Sequence, residues 1–255
     1  MRSFVLAALF CLPAAGAAAY EPLGYPGSTW GTLSRDFDNI EGYGTLGDVE
    51  QGVDWLKLPG NLVFDTFGGY SWRARSQDQR YFNENGPYAG ARLTLNDFSF
   101  GADYNWERFP VLRQTTDDFE LFGTWYWRKS LGRPSWGGRT ALAAPFSTWG
   151  RMQYALNNNI EGYGSMGWVQ QGVDWFKLPG DVTFETFAAY RWRERSKNAQ
   201  YYDLMGPAVG IDLIRGPVDL DFEYAWRHYP YTTPQYVNTA QIVLTWYLTW
   251  NLKPR

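Results

Sequence analysis

From Leu62 to Arg73 the chain alternates without a break. Leu62, Phe64, Thr66, Gly68, Tyr70 and Trp72 fall on one side of an extended backbone; Asp65, Phe67, Gly69, Ser71 and Arg73 fall on the other. Successive side chains of a pleated strand point to opposite faces, so a period of two marks a strand with one apolar face. The pattern returns from Val182 to Arg193, with Phe184, Tyr190 and Trp192 against Glu185, Phe187, Arg191 and Arg193. It returns again from Val218, where Leu220, Phe222, Tyr224 and Trp226 oppose Asp219, Asp221, Glu223 and Arg227. A last run sets Ile242, Leu244, Trp246, Leu248 and Trp250 against Gln241, Thr245, Tyr247 and Asn251. Each run has about ten residues, the length a tilted strand needs to cross a bilayer. Strands of soluble sandwiches are usually half that, ~5–6 residues, and a water-facing sheet does not carry large apolar side chains along its whole outer face.

The alternation occurs in duplicate. Ser28-Thr29-Trp30-Gly31 recurs as Ser147 to Gly150, and Asn39-Ile40-Glu41-Gly42-Tyr43-Gly44 recurs unchanged as Asn159 to Gly164. Gln51 to Trp55 matches Gln171 to Trp175, and Lys57-Leu58-Pro59-Gly60 matches Lys177 to Gly180. Self-similarity at a fixed spacing signals repeated structural units. The chain reads as a first unit over 20–131, a linker over 132–146 and a second unit over 147–255. Residues 1–19 read as a secretory signal peptide, with Arg2, an apolar run from Val5 to Leu12 and a small-residue cleavage site at Ala17-Ala18-Ala19. Cys11, the single cysteine, lies within it, so disulfides do not brace the mature chain.

Composition narrows the class. With 14 Trp, 18 Tyr and 16 Phe in 255 residues, the chain is too aromatic for a disordered protein. No stretch beyond residue 20 approaches the ~18 consecutive apolar residues of a membrane helix. A net charge of -3 supplies no basic footprint for nucleic acid.

Six strands per unit are expected, at 29–37, 49–58, 62–74, 87–96, 98–109 and 118–129 in the first. Parity requires the sixth, because five would turn the second unit upside down in the membrane. Short turns at 58–61, 95–97, 178–181 and 214–217 alternate with longer loops at 38–48, 75–86, 110–117, 157–168, 195–206 and 230–239. Six strands cannot close a membrane pore alone, and an open edge in lipid leaves backbone groups unpaired. The expected fold is therefore all-β, one antiparallel transmembrane barrel of twelve strands built from two tandem six-stranded repeats. Trp72, Trp106, Trp192 and Trp226 reach one interface; Trp55, Trp125, Trp127, Trp175, Trp246 and Trp250 reach the other, as aromatic girdles do. In these features the chain resembles bacterial outer-membrane β-barrel proteins as a class. The resemblance implies an outer membrane of the Gram-negative type, periplasmic termini, and contact with membrane lipid and the barrel insertion machinery. The chain departs from that class by running past Trp250 into Lys253-Pro254-Arg255.

Charged side chains concentrate on the faces opposite the apolar ones, where lipid would make them costly. The lumen-lining candidates are Asp65, Arg73, Arg92, Asp103, Glu107, Glu185, Arg191, Arg193, Asp212, Glu223 and Arg227, joined by Asp54, Glu120, Arg128, Asp174 and Asp221. Two equivalent pairs, Arg92/Asp212 and Glu107/Arg227, reverse sign. The expected function is a channel or porin for a small polar solute or saccharide. The alternatives are a non-conducting structural or assembly component of an envelope complex, such as polysaccharide export, and an enzyme active at the rim. Against an enzyme, the sole histidine, His228, has the parity of Trp226 and faces outward, and no catalytic residue is assigned. Without His/Cys pairs, neither a metal nor any other cofactor is expected. Gly42-x-Gly44-x-x-Gly47 and its copy match a dinucleotide fingerprint in letters only, since no helical period follows them; they read as loop glycines free to take positive φ. Within the repeated hexapeptide Asn39, Glu41, Tyr43, Asn159, Glu161 and Tyr163 are loop candidates, either for a ligand or for a demanding turn.

Overall fold

Pro59-Gly60-Asn61 cannot continue a strand, because Gly60 and Asn61 take φ of 81° and 63° and reverse the chain. Gly180 and Asp181 do the same with φ of 83° and 59°. Such turns convert the period-two runs into antiparallel hairpins. The structure, a computed structural model, describes residues 21–22, 26–38, 41–130, 135–136, 139–140, 145–232 and 235–251. Residues 1–19, expected to be a signal peptide, together with Asn39, most of the expected linker and the tail from 252 to 255, lie outside the described residues.

Six strands precede the linker: β1 (Pro26–Asp38), β2 (Gly42–Leu58), β3 (Leu62–Arg75), β4 (Glu84–Leu95), β5 (Phe98–Phe109) and β6 (Gln114–Ser130). Six follow: β7 (Pro145–Ala155), β8 (Gly164–Leu178), β9 (Val182–Arg193), β10 (Leu204–Arg215), β11 (Val218–His228) and β12 (Tyr236–Asn251). One-turn helices α1 (Gln79–Phe82) and α2 (Ala199–Tyr202) interrupt the β3–β4 and β9–β10 connections. Each strand pairs antiparallel with its neighbour in sequence, and β1 pairs with β12 from Asn251↔Pro26 to Ala240↔Phe37. The result is a closed barrel of twelve strands with no free edge. A two-residue extension, Glu21–Pro22, pairs alongside the start of the ring at Lys57 and Leu56.

Register sets the faces. Asp65 pairs with Arg92 and Arg92 with Gly101, while Glu185 pairs with Asp212 and Asp212 with Asp221, so each of these rows points to one side. The other side carries Leu33, Tyr70, Leu93, Phe100, Leu121, Val209, Phe222 and Ile242, all exposed. Large apolar side chains exposed around a closed barrel whose charges are buried mark the outer surface as the lipid-compatible one. Several outward indoles lie against a glycine of the adjoining strand: Trp72 on Gly47, Trp192 on Gly167, Trp125 on Gly150 and Trp246 on Gly31. A Cβ at any of these glycines would collide with the ring. Trp55 and Trp175 occupy matching bulges, where each indole N–H donates to a threonine hydroxyl, Thr66 and Thr186, at 2.8 Å.

The expected long loops are corrected. β2 begins at Gly42, β6 at Gln114, β8 at Gly164 and β12 at Tyr236, so much of 38–48, 110–117, 164–168 and 236–239 is strand. Gly44, Gly47 and Gly167 are strand residues rather than loop glycines; only Gly42 and Gly162 of that set take positive φ, at 76° and 81°. These ends escaped the periodicity because a strand that rises beyond the hydrocarbon no longer needs apolar residues on its outer face.

Candidate functional site

The inward faces of a twelve-stranded barrel would line a passage if their side chains were short. Here they meet. At the end bearing the longer connections, Arg73 and Arg75 from β3, Arg193 from the end of β9 and Arg195 just beyond it are gathered around the lumen. Between them lie two carboxylates from the repeated hexapeptide. Glu41 contacts Arg75 at 3.0 Å and Arg193 at 3.7 Å; Glu161 contacts Arg195 at 2.7 Å and Arg73 at 3.6 Å. Each glutamate is thus held by one arginine of its own half and one of the other. Glu41 also accepts from the Tyr229 hydroxyl at 3.3 Å. Burial would raise both carboxyls, but the surrounding guanidiniums, Arg75 first for Glu41 and Arg195 first for Glu161, hold both below the ordinary carboxylate range.

The two short helices cap this cluster. Phe82 and Tyr202, 1% and 0% exposed, turn inward from α1 and α2. Tyr81 stacks on Tyr201 with ring centroids 4.2 Å apart, and the Tyr202 hydroxyl donates to the Tyr81 carbonyl at 2.9 Å. Arg73 Nε donates to the Phe82 carbonyl at 3.0 Å and Arg193 Nε to the Tyr202 carbonyl at 2.5 Å. The same arginines therefore anchor both the carboxylates and the helices.

The hexapeptide is explained by this arrangement. Gly42 and Gly162 pass beneath the hydroxyls of Ser76 and Ser196, where a Cβ would collide. Those hydroxyls accept from the amides of Tyr43 and Tyr163 at 3.2 and 3.0 Å. Tyr43 and Tyr163 themselves point outward and are exposed. Asn159 is exposed, its amide donating to the Thr116 hydroxyl at 3.1 Å. Turn geometry and a buried glutamate thus account for the described part of the repeat.

Deeper in the lumen Arg92 contacts Glu50 at 2.7 Å and Asp65 at 2.8 Å, and its guanidinium lies over Phe67. Phe67 packs edge-on against Phe122 and Tyr88. Asp103 faces Arg151 at 3.8 Å, and Glu107 accepts from Asn158 at 2.7 Å. In the second half Arg191 holds Glu223 at 3.0 Å, Arg128 bridges Asp174 and Glu185 at 3.1 Å each, and Arg227 lies 3.8 Å from Asp36. Asp212 and Asp221 sit with Asp219 near the short turn 216–217. All eleven lumen-lining candidates point inward. His228 is on the outward face and stacks on Tyr236 at 4.7 Å.

No protein-family model matches the chain, and no curated protein matches it in sequence. Solved structures do. An outer membrane channel from Pseudomonas putida F1 aligns over 90% of this chain and 97% of its own at 10% identity and a TM-score of 0.46. The β domain of the Bordetella autotransporter BrkA aligns over 87% and 99% at 11% identity and 0.42. The outer membrane protein OpdK from Pseudomonas aeruginosa aligns over 89% and 99% at 8% identity and 0.35. The likeness is to bacterial outer-membrane barrels as a class. At these values it is a likeness of chain path and conveys nothing of what passes or binds.

Inward residues not singled out in the sequence include Asp36, Glu50, Arg75, Arg195, Phe82, Tyr202 and Tyr229. A signal for two of them was present: Arg73-Ala74-Arg75-Ser76 recurs as Arg193-Glu194-Arg195-Ser196, so Arg75 and Arg195 share the inward parity of Arg73 and Arg193. Phe82 and Tyr202 lie in polar connections whose composition resembles any exposed loop.

Proposed function

We propose that the chain is an outer-membrane β-barrel that is closed at rest and serves as a structural or assembly component of the envelope, with the longer connections outside the cell and both termini in the periplasm. The observation that carries this reading is the cross-barrel pair of contacts Arg73–Glu161 and Arg193–Glu41, sealed by Phe82 and Tyr202. Ion pairs that meet across the lumen beneath two buried aromatic side chains support a closed resting state. Catalysis is not assigned, since His228 faces away from every inward carboxylate.

A gated channel for small polar solutes is the second reading. One feature favours it: the seal consists of ion pairs and one-turn helices rather than a hydrophobic core, and replacing such pairs by apolar residues often leaves a fold equally stable. Single-channel recording in planar bilayers separates the readings. A closed component shows no steady conductance as wild type or as Arg73→Ala/Arg193→Ala; a gated channel conducts once those arginines are removed. Steady conductance by the wild-type barrel would overturn the closed reading.

A further inference from the structure

The two halves of the lumen differ most where Arg92 is replaced by Asp212. In the first half Arg92 places its guanidinium between Glu50 and Asp65 at 2.7 and 2.8 Å. At the equivalent positions the second half has Gln170, Glu185 and Asp212, and it gains two more acids, Asp219 and Asp221, where the first has Ser99 and Gly101. A cation has been removed and carboxylates added at the same height in the same kind of wall.

The hairpin of β10 and β11 brings three of these acids together. Asp212 pairs with Asp221, and Asp219, two residues earlier on β11, shares their inward face. One carboxylate oxygen from each lies within 4.8 Å of the others. Asp212 and Asp221 are 1% and 5% exposed, and one oxygen of each of the three acids is buried without a hydrogen-bond partner. A fourth group, which is no acid, points to the same ligand. Gln170, 1% exposed, reaches into the cluster from β8, its Nε2 donating to Asp212 at 3.2 Å, while its Oε1 has no partner. The nearby arginines are engaged elsewhere, Arg128 with Asp174 and Glu185 and Arg191 with Glu223.

Three carboxylates cannot share a buried wall fully ionised without a counter-charge. We infer that Asp212, Asp219 and Asp221, assisted by Gln170, form a binding site for a hard divalent cation of the calcium type, which stands where Arg92 supplies the positive charge in the first half. The donors are all oxygens, as such ions require, and a calcium ion holds ligands at about 2.3–2.6 Å, so those on opposite sides lie about 5 Å apart. Three oxygens within 4.8 Å of one another can share one ion. The site lies beside the short turn 216–217, at the barrel end that bears both chain termini, so an ion enters without passing the Arg73/Arg193 seal.

Equilibrium dialysis of the folded, detergent-solubilised full chain against labelled Ca2+ tests this. One ion per chain is expected for the wild type and for Asp103→Asn, an inward carboxylate outside the cluster. Asp212→Asn/Asp221→Asn should weaken binding by at least about tenfold, as loss of ligand charge does in oxygen-donor sites. Asp212→Arg, which restores the residue type of the first half, should fold and bind no calcium. Absence of stoichiometric calcium from the folded wild type would overturn the inference, the acids then sharing protons instead. Undiminished binding by the double variant would overturn it equally.

Discussion

Arg73 crosses the lumen to Glu161 at 3.6 Å, and Arg193, its counterpart in the second half, crosses to Glu41 at 3.7 Å. The two contacts are reciprocal. Each glutamate keeps a second arginine from its own half, so the four arginines and two glutamates lock the halves of one barrel against each other. Removing one partner of a buried ion pair typically costs ~3–5 kcal/mol because the other charge is left uncompensated. Glu41 and Glu161 each retain an arginine after a single substitution, whereas Arg73→Ala also removes the 3.0 Å partner of Glu84, so Arg73 should cost more than Arg193.

That redundancy makes a first prediction. Arg73→Ala and Arg193→Ala should each lower the temperature at which the barrel loses its heat-modifiable electrophoretic form, and the double variant should lose more than the sum of both. Additive losses would mean that the two crossings do not act as one unit.

Acid should loosen the same seal. The carboxyls of Glu41 and Glu161 are held below their ordinary value of 4.5. A carboxylate whose folded pKa is depressed stabilises the fold above its unfolded pKa, and that stabilisation is lost as pH falls through the folded value. The contribution of these two glutamates should therefore be constant from pH 7 down to about 5 and fall progressively below about 4.5. Protease cleavage within α1 and α2, measured against pH with an acid-tolerant enzyme, should rise only in the lower window, and Glu41→Gln/Glu161→Gln should be cleaved readily at pH 7.

The outer face should reject charge. Leu244 lies outward near the middle of β12, opposite Leu220 and Leu33, and Leu244→Arg should cost on the order of 2–4 kcal/mol and reduce the yield of folded barrel in membranes. Asn251→Arg, inward by parity at the end of the same strand, should accumulate normally. Equal yields of the two would invalidate the lipid-facing assignment.

Orientation is open to chemical labelling. Asp78 and Lys197 are exposed beside α1 and α2, so cysteines there should react with a membrane-impermeant thiol reagent on intact cells. Cysteines at Asn61 and Asp181, exposed in the short turns, should react only after the outer membrane is opened. The reverse pattern would place the termini outside.

The faces of the strands could be read from the chain because a period of two is a local property. Given the register of Asp65 or Glu223, no distant contact is needed to know that it opposes Phe64 or Phe222. Strand ends were less legible: Gly42 to Asp48 carries no apolar alternation, yet it pairs with β1 and β3 through its backbone, which sequence composition does not report. Closure into twelve strands followed from parity and from the cost of an open edge in lipid, both independent of side-chain detail.

The contacts across the lumen belong to the tertiary structure alone. Arg73 and Glu161, or Tyr202 and the Tyr81 carbonyl, are brought together by the curvature of the closed ring across its diameter, and nothing in the local pattern of either partner specifies the other. That the charges face inward and the indoles outward is legible in the local pattern, because lipid and water discriminate residue by residue. Only the fold decided that those inward charges reach across and neutralise one another. It also left Asp212, Asp219 and Asp221 facing each other without an arginine, because side-chain length and barrel diameter act together there, and neither is a property of a single strand.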